Sequence, residues 1–267
     1  PICQVQDVAA GTGCTVILCP QGAVTGVDIR GGSPGTRDTA ALDPLCNRSV
    51  VHAVVLTGGS AFGLDAAGGV MKKLEEEKIG RDVLVTVVPN VCAAVLFDLK
   101  FGAMDVRPDG AMGYAACEAA LQGGPLQEGN FGAGTGCTVG KIRGAKFAMK
   151  GGIGCCAYRQ GDLMVGAVVA CNAMGDVWDH GQIIAGARND ENTGFANSEE
   201  WLIAHGERQD AACFGISSID VKNGDTLVQT LSLHDGIVAG NAYDDFEDPL
   251  AADATRTFDL TSGLDTQ

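Results

Sequence analysis

The residues of this chain rule out most of the usual catalytic hardware. Its four histidines, His52, His180, His205 and His234, lie far apart in sequence, and no Cys-x-x-Cys pair occurs. No zinc cluster, metal or other cofactor is therefore expected, and no serine triad can be assembled from local pattern. The polar residue that stands out is Asn172, which ends the strongly apolar run Val165-Gly-Ala-Val-Val-Ala-Cys171. An amide there must be hydrogen bonded to be tolerated, by closing a turn or by pointing into a pocket.

Two glycine turns invite chemical readings. In Gly132-Ala-Gly-Thr-Gly-Cys-Thr-Val-Gly140-Lys141 the first glycine of a phosphate loop would fall at Thr135, and Ile142 follows the lysine where Ser or Thr is needed. A dinucleotide fingerprint fails as well, because Val139 occupies the place of its third glycine. The stretch reads better as a tight loop that presents Lys141 to a site. The second turn, Thr57-Gly-Gly-Ser-Ala-Phe-Gly63, joins an apolar strand to a helix. It sets the N–H groups of Gly58, Gly59 and Ser60 at a helix N-terminus, where an oxyanion can be stabilised. An ordinary N-cap by Ser60 is the plainer alternative. The serine stands one place too early for the nucleophile elbow of an α/β-hydrolase.

These residues must be positioned by short β-rich runs punctuated by the 39 glycines. The pattern predicts strands over Thr15–Cys19, Ala23–Ile29, Ala53–Thr57, Leu84–Val88, Ala145–Met149, Leu163–Cys171 and Phe214–Ile219. It predicts helices from about Ser60 to Glu77, Gly110 to Ala120, Ser198 to His205 and Asp225 to Val238. In the first helix Phe62, Leu64, Ala67, Val70, Met71 and Leu74 recur at helical spacing, with Lys72, Lys73 and residues 75–77 on the wet face. Apolar strands and one-striped helices imply layers of sheet covered by helices in one domain.

Composition bounds the partners. A formal charge of −15, from 18 Lys and Arg against 33 Asp and Glu, repels phosphate backbones and anionic lipid heads, so neither nucleic acid nor membrane is expected. A small substrate bearing a free amine suits it better. No apolar run approaches the roughly 18 residues of a spanning helix. Residues 1–10 lack a basic region followed by an apolar one, which gives the expectation of a cytoplasmic protein. The 11 cysteines sit in apolar runs and read as reduced core residues.

Taken in order, Ala23-Val-Thr-Gly-Val-Asp-Ile-Arg-Gly-Gly32, Leu56-Thr-Gly-Gly-Ser-Ala-Phe-Gly-Leu64, Ala93-Ala-Val-Leu-Phe-Asp-Leu99, residues 132–141 and residues 150–172 resemble the DmpA-type family. That family takes in L-aminopeptidase/D-esterases, β-peptidyl aminopeptidases and nylon-oligomer hydrolases. The resemblance implies a four-layer α/β/β/α sandwich, a homo-oligomer, and a precursor cut before a Thr, Ser or Cys that starts a buried strand. The freed residue supplies the nucleophile, and its α-amine supplies a base of near-neutral pKa.

Residue by residue, Lys141 matches the family's active-site lysine and Asn172 the amide that holds the oxyanion. Phe97 stands where several relatives carry an assisting tyrosine. The cut maps between Ala211 and Ala212, dividing the chain into 1–211 and 212–267, with Cys213 beside the nucleophile position. His234-Asp-Gly236 matches a family His-Asp-Gly, and Asp253 with Thr255 occupies the place of an acidic pair. Alanine cannot attack a carbonyl. The resemblance thus leaves open an active amide hydrolase whose true residue at 212 differs, a site shifted onto Cys213, or an inactive binding relative. An acyltransferase of the ornithine acetyltransferase type shares the same logic.

Overall fold

The computed structural model describes residues 1–30, 33–47 and 50–205, together with the backbone of two later strands. Its fold is mixed α/β, and the chain packs as two compact units.

The first unit comprises residues 1–30, 34–139 and 149–173. It opens with the hairpin β1 (Ile2–Asp7) and β2 (Thr12–Val24), then β3 (Thr36–Arg37) and β4 (Val50–Thr57). A 3-10 turn over Ser60–Asp65 leads into α1 (Ala66–Glu76). After these come the short pair β5 (Arg81–Asp82) and β6 (Val87–Val88), then β7 (Val91–Val95) and α2 (Gly110–Leu121). A second short pair, β8 (Thr138–Val139) and β9 (Met149–Lys150), precedes the hairpin β10 (Gly152–Gln160) and β11 (Leu163–Cys171). The main sheet has the order β1-β2-β4-β7-β3, antiparallel except for the parallel pair β4 and β7.

One face of that sheet is covered by α1 and α2. The even residues of β2, Cys14, Val16 and Leu18, meet Ala53 and Val55 of β4, Val91 and Ala93 of β7, and the buried stripe Ala66, Ala67, Val70 and Leu74 of α1. The helices cross at glycines because nothing larger fits. A Cβ on Gly69 would strike the Gly110 carbonyl, and one on Gly113 the Ala66 carbonyl. Lys73 links Glu77 at 2.9 Å and Glu118 of α2 at 3.6 Å on the outer side. On the opposite face Thr15 accepts the Ala133 N–H at 3.1 Å, which seats the 3-10 turn Gly132–Gly134 against β2.

The second unit contains, among its described residues, 140–148 and 174–205. Its elements are the hairpin β12 (Val177–Asp179) and β13 (Gln182–Ala185), α3 (Ser198–His205), and the paired backbones of β14 (Ser218–Asn223) and β15 (Thr226–Ser232). Asp176 organises it, taking the Ala187 N–H at 2.8 Å, the Ser198 N–H at 2.6 Å and the Ser198 hydroxyl at 2.6 Å.

Several expected elements are corrected. The strand expected over Ala23–Ile29 stops at Val24, because its partner β4 begins at Val50 and pairing ends there. The strand expected over Leu84–Val88 shrinks to Val87–Val88. Asp82 caps a turn by accepting the Leu84 N–H at 2.8 Å, with Leu84 exposed at φ 74. Of Ala145–Met149 only Met149 is strand, since the Phe147 N–H closes a turn on the Gly144 carbonyl. The helix expected from Asp225 is strand over Thr226–Ser232, where β-branched residues alternate along a segment paired with β14. Phe62 lies outside the helical stripe, exposed beneath the Arg107 guanidinium. Of the described cysteines, Cys3, Cys14, Cys92, Cys117 and Cys137 are buried, whereas Cys46, Cys155 and Cys156 are exposed.

Candidate functional site

Because β4 and β7 run parallel, their C-terminal ends lie side by side, and the chain turns sharply after each. Leu96 fastens the two ends together. Its N–H reaches the Thr57 carbonyl at 2.8 Å, and its carbonyl accepts the Ser60 N–H at 2.9 Å. The next residue, Phe97, offers its carbonyl to Asn172 Nδ2 at 3.1 Å, while Asn172 Oδ1 accepts the Thr138 N–H at 3.0 Å. Both ends of the amide are therefore engaged, which fixes its plane and the direction its nitrogen faces.

Beside it lies a polar interior. Asp98 is buried and accepts the Thr12 hydroxyl at 2.7 Å and the Gly59 N–H at 2.6 Å. Lys150 reaches the Thr135 carbonyl at 2.5 Å and the Cys137 carbonyl at 3.0 Å, and its ammonium sits 4.0 Å from the Phe101 ring centre. Burial holds the Lys150 pKa below its ordinary value of 10.5, with Cys137 and Asp98 pulling the other way.

The expected residues divide clearly. Asn172 and Phe97 are brought together, Phe97 through its carbonyl, with a ring in place of a hydroxyl. Lys141 opens a 3-10 turn, Lys141–Arg143, in the second unit, whereas Asn172 belongs to the first. Gly58, Gly59 and Ser60, expected to offer N–H groups to an oxyanion, hold those groups in internal bonds. Their N–H groups are committed to the Gly13 carbonyl, to Asp98 and to the Leu96 carbonyl. Ser60 is also not the N-cap: Gly59 holds that place before the 3-10 turn, and Ser60 itself is left-handed at φ 54. Ala211, Ala212, Cys213, His234, Asp253 and Thr255 lie outside the described residues. Asp98 and Lys150 were missed as functional candidates. The one signal available was a carboxylate enclosed by apolar residues in Val95-Leu-Phe-Asp-Leu99.

A model of peptidase family S58 matches residues 2–228. The chain belongs to that family. It is 45% identical over 182 residues to an uncharacterized aminopeptidase of Mycobacterium leprae, a match covering 65% of this chain and 48% of that protein. It is 34% identical over 183 residues to the 6-aminohexanoate-oligomer endohydrolase of Agromyces sp. (strain KY5R), covering 68% and 48%. The chain thus spans about half the length of the curated relatives it matches. Among solved structures, the PH0078 protein of Pyrococcus horikoshii OT3 matches at a TM-score of 0.47 and 20% identity, covering 64% of this chain and 51% of that one. The L-aminopeptidase D-Ala-esterase/amidase of Ochrobactrum anthropi matches at 0.42 and 19%, covering 64% and 50%. Among the described residues no helix is long and apolar enough to cross a membrane.

Proposed function

We propose that this S58 chain is part of an amide hydrolase activated by its own cleavage, an aminopeptidase or a hydrolase of ω-amino-acid oligomers. The observation that carries the reading is the Asn172 amide, locked between the Thr138 N–H and the Phe97 carbonyl at the end of β11. In this reading the chain adopts a four-layer α/β/β/α sandwich as one domain processed into 1–211 and 212–267. Because Ala212 carries no attacking atom, the thiol of Cys213 beside the cut attacks the substrate carbonyl in this reading, and the freed α-amine takes its proton. Asn172 donates to the oxygen that becomes negative, and Lys141 supplies positive charge. Asp253 and Thr255 complete the polar surround, and no metal or other cofactor is needed. A small amide or peptide with a free amine suits the net charge of −15. The names of the relatives, aminopeptidase and 6-aminohexanoate-oligomer endohydrolase, support the same substrate class. A cytoplasmic homo-oligomer completes the reading.

One observation favours a second reading. Ala212 has no nucleophilic atom, so the chain with that residue is an inactive binding relative unless Cys213 attacks instead. Incubation with alanine p-nitroanilide and with 6-aminohexanoate oligomers, alongside intact mass, separates them. Hydrolysis, with two fragments arising from a cut near 211–212, is expected of the enzyme. A single full-length mass and no release of nitroaniline would remove it.

A further inference from the structure

The two glycine turns that resemble phosphate or oxyanion loops in sequence are shaped, in the first unit, around one carboxylate. Asp98 is only 5% exposed. A buried carboxylate is costly unless donors surround it, and short charge-assisted bonds are the strong kind. Thr12 and Gly59 provide them at 2.7 and 2.6 Å. The walls are glycine because nothing else fits. A Cβ on Gly58 would collide with Asp98 Oδ2 and Thr12 Oγ1, and one on Gly136 with the Gly11 carbonyl and the Asp98 side chain. The backbone of the same residue is used as well, since its carbonyl accepts the Phe101 N–H at 2.8 Å. The peptide linking Phe97 to Asp98 therefore has little freedom, and its carbonyl is the one that receives Asn172 Nδ2.

We propose that Asp98 is the positioning residue for the Asn172 amide: clamped between Thr12, Gly59 and two glycine walls, its carboxylate fixes the Phe97 carbonyl against which Asn172 is oriented. The catalytic consequence rests on the reading of Asn172 as oxyanion donor, whereas the geometric consequence does not. A donor that swings loses its aim at an oxygen formed only in the transition state, so kcat suffers and substrate binding does not.

The test uses the full chain labelled with ¹⁵N, the Asn172 side-chain amide signals being identified by their loss in Asn172→Asp. Asp98→Asn keeps the size but removes the charge: with its oxygen on the Gly59 N–H its NH₂ meets the Thr12 hydroxyl, which must turn to accept, and both bonds lose their charge assistance. Solvent exchange of the Asn172 amide protons should then quicken about tenfold, the loss of roughly one hydrogen bond's worth of restraint. On alanine p-nitroanilide, kcat should fall roughly 100-fold with KM within about a factor of two. Thr12→Val, which removes one of the two bonds, should move exchange and kcat part of the way, and Thr12→Ser should restore both. That pair decides the matter if Asp98→Asn does not fold. Unchanged Asn172 exchange in a folded Asp98→Asn or Thr12→Val protein with a lowered unfolding midpoint would overturn the proposal, leaving Asp98 a support of the sheet alone. A wild-type chain that hydrolyses nothing would sink the amide-hydrolase reading, while the exchange measurement still decides the positioning.

Discussion

The main sheet and the β10–β11 hairpin belong to the same unit and are built from similar apolar residues, yet they live in different surroundings. Val16, Val55 and Val91 are fully enclosed because α1 and α2 lie over them. Val165 and Val169 of β11 are each 58% exposed, and Leu163 and Met164 stand out beside them. The hairpin is fully paired over nine positions, from Gly152 with Cys171 to Gln160 with Leu163. Pairing and burial are thus separate achievements. An apolar run with β-branched residues secures the first, and only a covering layer secures the second.

Thiol reactivity should break the comparison most visibly. Burial pushes the Cys14 and Cys117 thiols up to about 12, so at pH 8 about one molecule in ten thousand carries the thiolate that reacts. Cys155 and Cys156 of the hairpin are exposed. Pulsed alkylation followed by peptide mass analysis should label Cys156 by orders of magnitude first, with Cys155 behind it because desolvation and the neighbouring Glu128 push its thiol up. Equal labelling of Cys14 would show that the sheet opens as readily as the hairpin.

Core truncation should separate the regions next. Leu74 is 0% exposed beneath the sheet, and Leu74→Ala should cost about 3 to 5 kcal/mol in urea unfolding. Val165→Ala should change the same midpoint by under about 0.5 kcal/mol. A large cost at Val165 would mean that the hairpin has a covering partner in solution.

The smallest effect concerns pH and sharpens the contrast from within the sheet. His52 of β4 is buried and accepts the Asn90 N–H on Nδ1 at 3.0 Å, and burial lowers its pKa from the ordinary 6.5. Below pH 6.5 the unfolded chain binds a proton that the folded chain refuses. Stability should therefore fall from that point down to the lowered folded value and then level off. Urea midpoints at pH 7.5 and 5.5 should show this fall in the wild type and lose most of it in His52→Gln.

Local pattern made much of this fold legible. The strand at Leu163–Cys171 falls where its β-branched run puts it, the helix at Ser198–His205 has the expected bounds, and Asn172 stands out because an amide is foreign to such a run. Failures occurred where a partner decided the outcome. Thr226–Ser232 is strand because β14 lies alongside, and β2 ends at Val24, the residue paired with Val50 at the start of β4. Asp98 was hidden for a similar reason: it meets Thr12, 86 residues away, and no local spacing announces that contact. The glycines at 58 and 136 are visible in sequence, but what they make room for is not.

The parallel pairing of β4 with β7 also has a consequence for synthesis. Val50–Thr57 leaves the ribosome well before Val91–Val95, because the whole crossover, α1 included, must be made between them. During that interval β1, β2 and β4 can pair antiparallel with one another, but the far side of β4 offers a row of unsatisfied N–H and C=O groups flanked by Val51, Ala53 and Val55. Parallel pairing across a long connection forms slowly. The nascent chain is most open to joining a second copy of itself in that window, and the window closes when residue 95 is free to dock.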